Sequence, residues 1–216
     1  SQEQGRGGFS ACMCPGGIIA PAATAPGEIV VNGWSPSKRN NPFANSATVV
    51  AVDEKDFSAY GFTGPLAGMY YQQMVEQKAF QVGGGHLVAP AQRMVDFTEG
   101  KISSTLPACS YLPGVATASI PDVLPVAVHT ALKKAMLSFG KKMKGYYTNE
   151  ALLVATESRT SSPVRVPRDK ETLQHPQING LYPCAEGAGY AGGIVSAAID
   201  GERIAELIAA KMSLSF

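Results

Sequence analysis

The chain has 216 residues, 45% of them hydrophobic and 16% charged, enough to bury the core of one large domain or two small ones. A net charge of +1 supplies no field that gathers nucleic acid or anionic membrane, so neither is expected as a partner. No apolar run reaches the roughly 18 residues of a membrane span and no basic-then-apolar leader opens the sequence, which points to a cytoplasmic protein.

With 23 glycines and 15 prolines, turns and close backbone approaches are expected rather than a helical bundle. To about Asp53 the chain reads as short strands. Gly17–Ala20, Glu28–Val31 and Ala47–Val52 are β-branched runs bounded by Pro, Gly and Asn, and an antiparallel, barrel-like sheet is the expected result. Between the last two, the polar stretch Asn32–Pro42 has the length of a functional loop. From Pro65 to Val82 the period changes. Ala67, Tyr70, Tyr71, Met74, Val75 and Ala79 recur at helical steps, and Gly83-Gly-Gly85 ends the pattern. A second helix is signalled by Pro121, with the stripe Leu124, Val128, Leu132, Met136, Phe139 and Met143; Lys133, Lys134, Lys141 and Lys142 form a solvated face. Strands are expected again at Ala151–Ala155 and Val164–Val166. The last segment reads as a strand ending near Ala185, a glycine turn, and a helix from about Gly189 to Lys211 with Ile194, Ala198, Gly201, Ala205 and Ile208 on one face.

Chemistry concentrates near the C-terminus. Gly187, Gly189 and Gly192 hold the G-x-G-x-x-G spacing that lets a backbone approach a pyrophosphate at a helix N-terminus. Too few residues follow for the second strand and ribose acid of a complete dinucleotide-binding unit, so the turn reads as the closing strand and helix of a nucleotide-binding sheet begun elsewhere. Glu186 offers a carboxylate to sugar hydroxyls, and the helix N-terminus offers N–H groups. Tight helix–sheet packing is the alternative reading of the same glycines. Arg159-Thr-Ser-Ser-Pro-Val-Arg-Val-Pro-Arg168 sets three guanidinium groups among hydroxyls, a pattern that grips carboxylate, phosphate or a polar ring edge, or else a plain surface loop. His86, after the triple glycine, is a candidate proton-transfer group, whereas His129 and His175 have no partner at motif spacing. Cys12, Cys14, Cys109 and Cys184 lack the spacing of a zinc site or redox pair and are expected to be reduced, buried and metal-free.

Five motifs in order carry a resemblance: Gly5–Gly17, Pro65–Gly68, Ala89-Pro-Ala-Gln92, Arg159–Arg165 and Tyr182–Gly193. They resemble the C-terminal portion of the bacterial FAD-utilizing dehydrogenases, largely uncharacterised flavoproteins of the FAD/NAD(P)-binding superfamily. The resemblance implies an α+β chain: residues 1–157 an inserted, substrate-facing domain, and 158–216 the return into a Rossmann-type FAD domain whose N-terminal portion is the missing partner. It implies FAD contacts from Arg159, Ser161, Ser162, Arg165, Glu186, Gly187, Gly189, Tyr190, Gly192 and Gly193, no metal, and a small-molecule substrate. His86, Arg159 and Arg165 are the catalytic candidates. Ala185 stands where glycine is expected. On this reading the intact protein is an FAD-dependent oxidoreductase and this chain alone is inactive and binds FAD weakly or not at all. A non-enzymatic binding module with structural glycine turns is the rival.

Overall fold

A computed structural model describes residues 6–11 and 13–213; the expectation placed on Cys12 and the first residue of the Gly5–Gly17 motif lie outside them. The chain divides into two units, one comprising Ser1–Phe62 and Tyr70–Ser158, the other Thr63–Met69 and Arg159–Phe216.

The first unit opens with four short strands, β1 (Gly8–Ser10), β2 (Ile18–Pro21), β3 (Val31–Trp34) and β4 (Thr48–Val50). They do not close into a barrel. Among the described residues β1 pairs with β4 and β2 with β3, each antiparallel, and strands of three or four residues are too short to carry a continuous ladder round a closed wall. β3 also begins later than the hydrophobic run suggests. The amides of Ile29 and Val31 donate to the carbonyls of Glu76 (3.1 Å) and Thr156 (2.9 Å), so the buried end of that run is tied to other segments, and the ladder instead uses Asn32-Gly33-Trp34 from the expected loop.

Helix α1 (Glu54–Ala59) follows, started by a capping box in which Asp53 and Asp56 exchange hydrogen bonds. Arg6 clamps the same Asp56 carboxylate through two N–H bonds of 2.7 Å. Helix α2 (Ala67–Val82) and helix α4 (Val126–Lys142) bear out the 3.6-residue periods, with α3 (Met94–Glu99) between them. Tyr71, Val75 and Ala79 of α2 and Leu132 and Met136 of α4 are buried, whereas Tyr70 and Met143 are exposed. Pro121 lies in a separate 3-10 turn, Ile120–Asp122, and α4 starts only after Pro125. The core gathers these faces around Ile29, Phe97 and Tyr111.

The largest sheet has β5 (Ala89–Arg93) at its centre, parallel to β6 (Val115–Thr117) and antiparallel to β7 (Leu152–Val154), so the strands of this unit are mixed rather than all antiparallel. A parallel partner is reachable because α3 and the chain after it supply the required crossover. The motif Ala89-Pro-Ala-Gln92 is this central strand. Gln92, 2% exposed, staples it by donating to the carbonyl of Lys101 (2.6 Å) and accepting from the amide of Ile120 (2.9 Å).

Phe57 and Tyr60 pack on Tyr71, with ring centroids 5.2 and 5.6 Å away. The Tyr71 hydroxyl is buried without a hydrogen-bond partner among the described residues, and burial raises its pKa. Tyr71→Phe removes a buried group that makes no bond, so stability in a denaturant melt is expected to hold or rise by up to about 1 kcal/mol. A loss of that size would show that the hydroxyl is paired.

In the second unit, residues 159–193 contain little regular structure. Neither expected strand forms: Val164–Val166 and Leu181–Ala185 have no ladder partner, and the His175 amide donates to the Leu181 carbonyl (2.8 Å) and the Val166 amide to that of Ala188 (3.2 Å) in isolated bonds. Asp169 organises the connection by accepting from the amides of Glu171 (3.0 Å) and Thr172 (2.8 Å). A 3-10 turn, Glu186–Ala188, then leads to the closing helix α5 (Ile194–Ser213). The buried side of α5 is rotated from the expected stripe. Ile204 is buried and Ala197, Asp200, Gly201 and Ile208 are half-buried, while Ile194, Ala198 and Ala205 face outward.

Candidate functional site

Two of the sequence constellations meet in the second unit. The Val166 amide bonds the Ala188 carbonyl, and the Tyr190 hydroxyl returns to the Val166 carbonyl (2.8 Å), which lays the Arg159–Arg168 segment along the glycine turn. Arg165, exposed, sits over the Tyr190 ring at 4.3 Å and Arg168 at 3.7 Å. Ser162 is half-buried and donates to the Val164 carbonyl at 2.7 Å. Arg159 and Ser161 lie at the exposed start of the same segment. His86 is not part of this assembly in sequence or unit: it is an exposed residue of the loop between α2 and β5, in the first unit.

The three motif glycines play different roles. Gly189 has φ +82, and a Cβ there would lie 2.9 Å from the Val164 carbonyl oxygen, so the fold itself demands glycine. Gly187 and Gly192 have no positive φ, and a Cβ at either would meet nothing within 4 Å. Backbone conformation and packing within this chain leave both positions free to carry a side chain. Open space above a turn at a helix N-terminus is what close approach of a ligand requires. The first α5 bond runs from the Ala197 amide to the Gly193 carbonyl (2.9 Å), which leaves the amides of Ile194, Val195 and Ser196 without intrahelical acceptors. Glu186, exposed, makes no side-chain hydrogen bond to the described residues. These groups suit a flavin nucleotide, which presents sugar hydroxyls to a carboxylate and an anionic pyrophosphate to free N–H groups.

A pairing that sequence reasoning did not find anchors the assembly. Arg168 donates to both oxygens of Asp200 (2.9 and 2.7 Å) and to the Pro183 carbonyl (2.8 Å), and its side chain is only 9% exposed. The hydrogen bonds from Arg168 hold the Asp200 carboxyl down at about 2. Asp200 also accepts from the Ala185 amide (2.9 Å), so the pair ties α5 to the start of the turn. Arg168 is committed to this work and is not available to a ligand. A spacing of 32 residues left no local signal of the pairing.

Ala185, at the expected glycine position, adopts φ +56, ψ −151, a conformation that costs an L-residue about 1–3 kcal/mol. Ala185→Gly is expected to stabilise the chain by about 1 kcal/mol after the extra unfolded-state entropy of glycine is subtracted. A lower melting temperature would show that the methyl group packs usefully.

Cys109 and Cys184 are free thiols, and they and Cys14 are half-buried rather than fully buried. Burial pushes the Cys184 thiol up. Among the described residues no three His, Cys, Asp or Glu side chains converge as a metal site, and no helix is long and apolar enough to cross a membrane.

The model of the family described as FAD-dependent protein, C-terminal domain-like, matches residues 1–160. The chain belongs to this family. Membership thus rests on the first unit and the entry into the second, and the Glu186–Gly193 turn lies beyond the matched span. The chain is similar to a curated protein of Clostridium beijerinckii, described only as an uncharacterized protein, with 43% identity over 99% of this chain. It spans 40% of the length of that relative.

Proposed function

We propose that this chain is the C-terminal part of a longer cytoplasmic FAD-dependent oxidoreductase, with residues 1–157 facing the substrate and 158–216 completing the FAD-binding domain. The observation that carries the reading is the pair Gly187 and Gly192, glycines that nothing in the chain's own conformation or packing requires, at the mouth of a 20-residue helix in a member of an FAD-dependent family. The structural alternative, a binding module with packing glycines, accounts for Gly189 and leaves those two unexplained.

Bound FAD would supply the hydride-accepting ring. Glu186 would accept hydrogen bonds from sugar hydroxyls. The amides at the start of α5, from Gly193 on, would face pyrophosphate oxygens with the positive end of the helix dipole behind them. Arg165, held flat by Tyr190, would present its donors to the polar edge of the isoalloxazine, with Ser161, Ser162 and Arg159 along the same segment. Burial of Arg168 against Asp200 keeps the turn in place while this happens. Arg159 and Arg165 are also the groups on this wall suited to orient an anionic small-molecule substrate.

The test is flavin titration of apo-protein in the full-length protein. Glu186→Ala is expected to weaken FAD binding roughly 10- to 150-fold, the cost of a charge-assisted hydrogen bond of about 1.5–3 kcal/mol, with little change in melting temperature. Unchanged affinity would reject the site.

A further inference from the structure

The polar stretch Asn32–Pro42, in the first unit, is pinned along its length. Cys14 and Asn45 exchange backbone hydrogen bonds of 2.8 and 3.2 Å, and the Gly17 amide donates to the Phe43 carbonyl at 3.0 Å. Three glycines fit too closely for any side chain to replace them. A Cβ would stand 2.0 Å from the Arg39 carbonyl oxygen at Gly16, 2.5 Å from the Trp34 carbonyl oxygen at Gly17 and 2.0 Å from Asn45 Oδ1 at Gly33. The backbones of Trp34 and Arg39 thus rest on consecutive residues, whose Cα atoms are about 3.8 Å apart. Arg39 also takes φ +46, a left-handed conformation that is costly for a residue with a side chain and persists only where its surroundings impose it.

This pinned segment offers a flat ring and two cations to solvent. Trp34, the only tryptophan of the chain, is 53% exposed. Lys38 and Arg39 are exposed and have no ion pair among the described residues. Between Arg6 and Asp53 the sequence holds one carboxylate, Glu28, and that side chain is buried and accepts from Gln73. The positive charge of the segment is therefore left for a ligand. Backbone donors contribute little to it. Pro36 and Pro42 have no N–H, and the Arg39 and Phe43 amides are committed to the Pro36 carbonyl and the Asn41 side chain, which leaves few groups for the N–H nest that suits phosphate. A carboxylate needs only the planar fork of Arg39 with Lys38 beside it. We propose that Trp34–Arg39 binds a planar carboxylic acid, its ring against Trp34 and its carboxylate on Arg39 and Lys38. On the reading that residues 1–157 face the substrate, on which this step rests, such acids are the substrate class.

The experiment uses the full-length protein with Trp34 as its own reporter. Benzoate is titrated against wild type and Trp34→Phe, and tryptophan emission is followed. Wild type is expected to show a saturable change with a dissociation constant of about 1 mM or tighter, and Trp34→Phe to lose that change. Benzamide, the uncharged analogue, is expected to bind at least about tenfold more weakly. Arg39→Gly separates recognition from folding. Glycine relieves the left-handed strain, so the melting temperature is expected to hold or rise, while the benzoate dissociation constant rises at least about tenfold. Unchanged benzoate binding in Arg39→Gly overturns the proposal, as does a wild-type emission that shows no saturable change up to about 20 mM benzoate. So does a change that survives Trp34→Phe, or inorganic phosphate that displaces benzoate at equal concentration. Failure of the oxidoreductase reading shows differently: the full-length protein purifies without flavin absorbance while the Trp34-dependent response to benzoate persists.

Discussion

Arg168→Met is expected to destabilise the second unit by about 3–5 kcal/mol, the largest loss from any single change to the candidate site. The methionine keeps most of the side-chain volume but leaves the Asp200 carboxylate, 12% exposed, without its guanidinium partner, and an uncompensated buried charge costs that much. The bond to the Pro183 carbonyl and the stacking on Tyr190 go as well. Asp200→Asn added to Arg168→Met removes the orphaned charge and should recover part of the loss, so the double variant melts above the single one. If the double variant is the less stable, Arg168 acts through packing alone.

The same pair sets an acid limit. The folded-state pKa of Asp200 is held at about 2, below its ordinary 3.8, so the unfolded chain binds the proton more readily. The stabilisation, about 2 kcal/mol, is fully present above pH 3.8 and is lost as pH falls towards 2. In Arg168→Met the share of this acid-side decline that belongs to Asp200 should disappear, while Asp56 and Asp169, whose carboxyls are also held down, still contribute. A wild-type stability profile that stays flat from pH 5 to pH 2, measured by denaturant melts, would refute the pairing.

Gly16→Ala is expected to cost about 3–5 kcal/mol, against about 1 kcal/mol for Gly27→Ala. Both glycines have positive φ, +58 and +78, so the conformational penalty is shared. They differ in surroundings. A Cβ on Gly16 would stand 2.0 Å from the Arg39 carbonyl oxygen, whereas one on Gly27 meets nothing within 4 Å. The neighbouring Gly17 amide bonds the Phe43 carbonyl at 3.0 Å, and Asn45 donates to the Ile18 carbonyl at 3.2 Å, so residues 35–44 fold back onto β2 as a pinned segment. Equal melting temperatures for the two alanine variants would mean that the segment is not held there.

The elements that could be read in advance are those whose residues carry their own period. α2 and α4 announce themselves because a helix satisfies its backbone locally, and the apolar stripe then records which side is covered. β2, β4 and β7 could likewise be located, as short β-branched runs between turn residues. Their pairing could not. Whether short strands close into a barrel depends on partners distant in sequence, and here they form separate small sheets. β5 was hidden by its own composition: Pro90 argues against a central strand, yet it sits where the β7 ladder ends, with its carbonyl accepting from the Ala155 amide (3.0 Å), so its missing N–H costs little.

At the glycine turn, the sequence by itself determined that the chain can make close backbone approaches before a terminal helix, and its motifs determined the family resemblance. Only the tertiary structure separated Gly189, required by a positive φ and the nearby Val164 carbonyl, from Gly187 and Gly192, required by neither. It alone also withdrew Arg168 from the ligand-binding arginines and turned the covered side of α5 towards Ile204. The reason is common to all three. Residue type limits which conformations and charges a position can hold, whereas which neighbour uses them is set by contacts between segments whose separation leaves no local pattern.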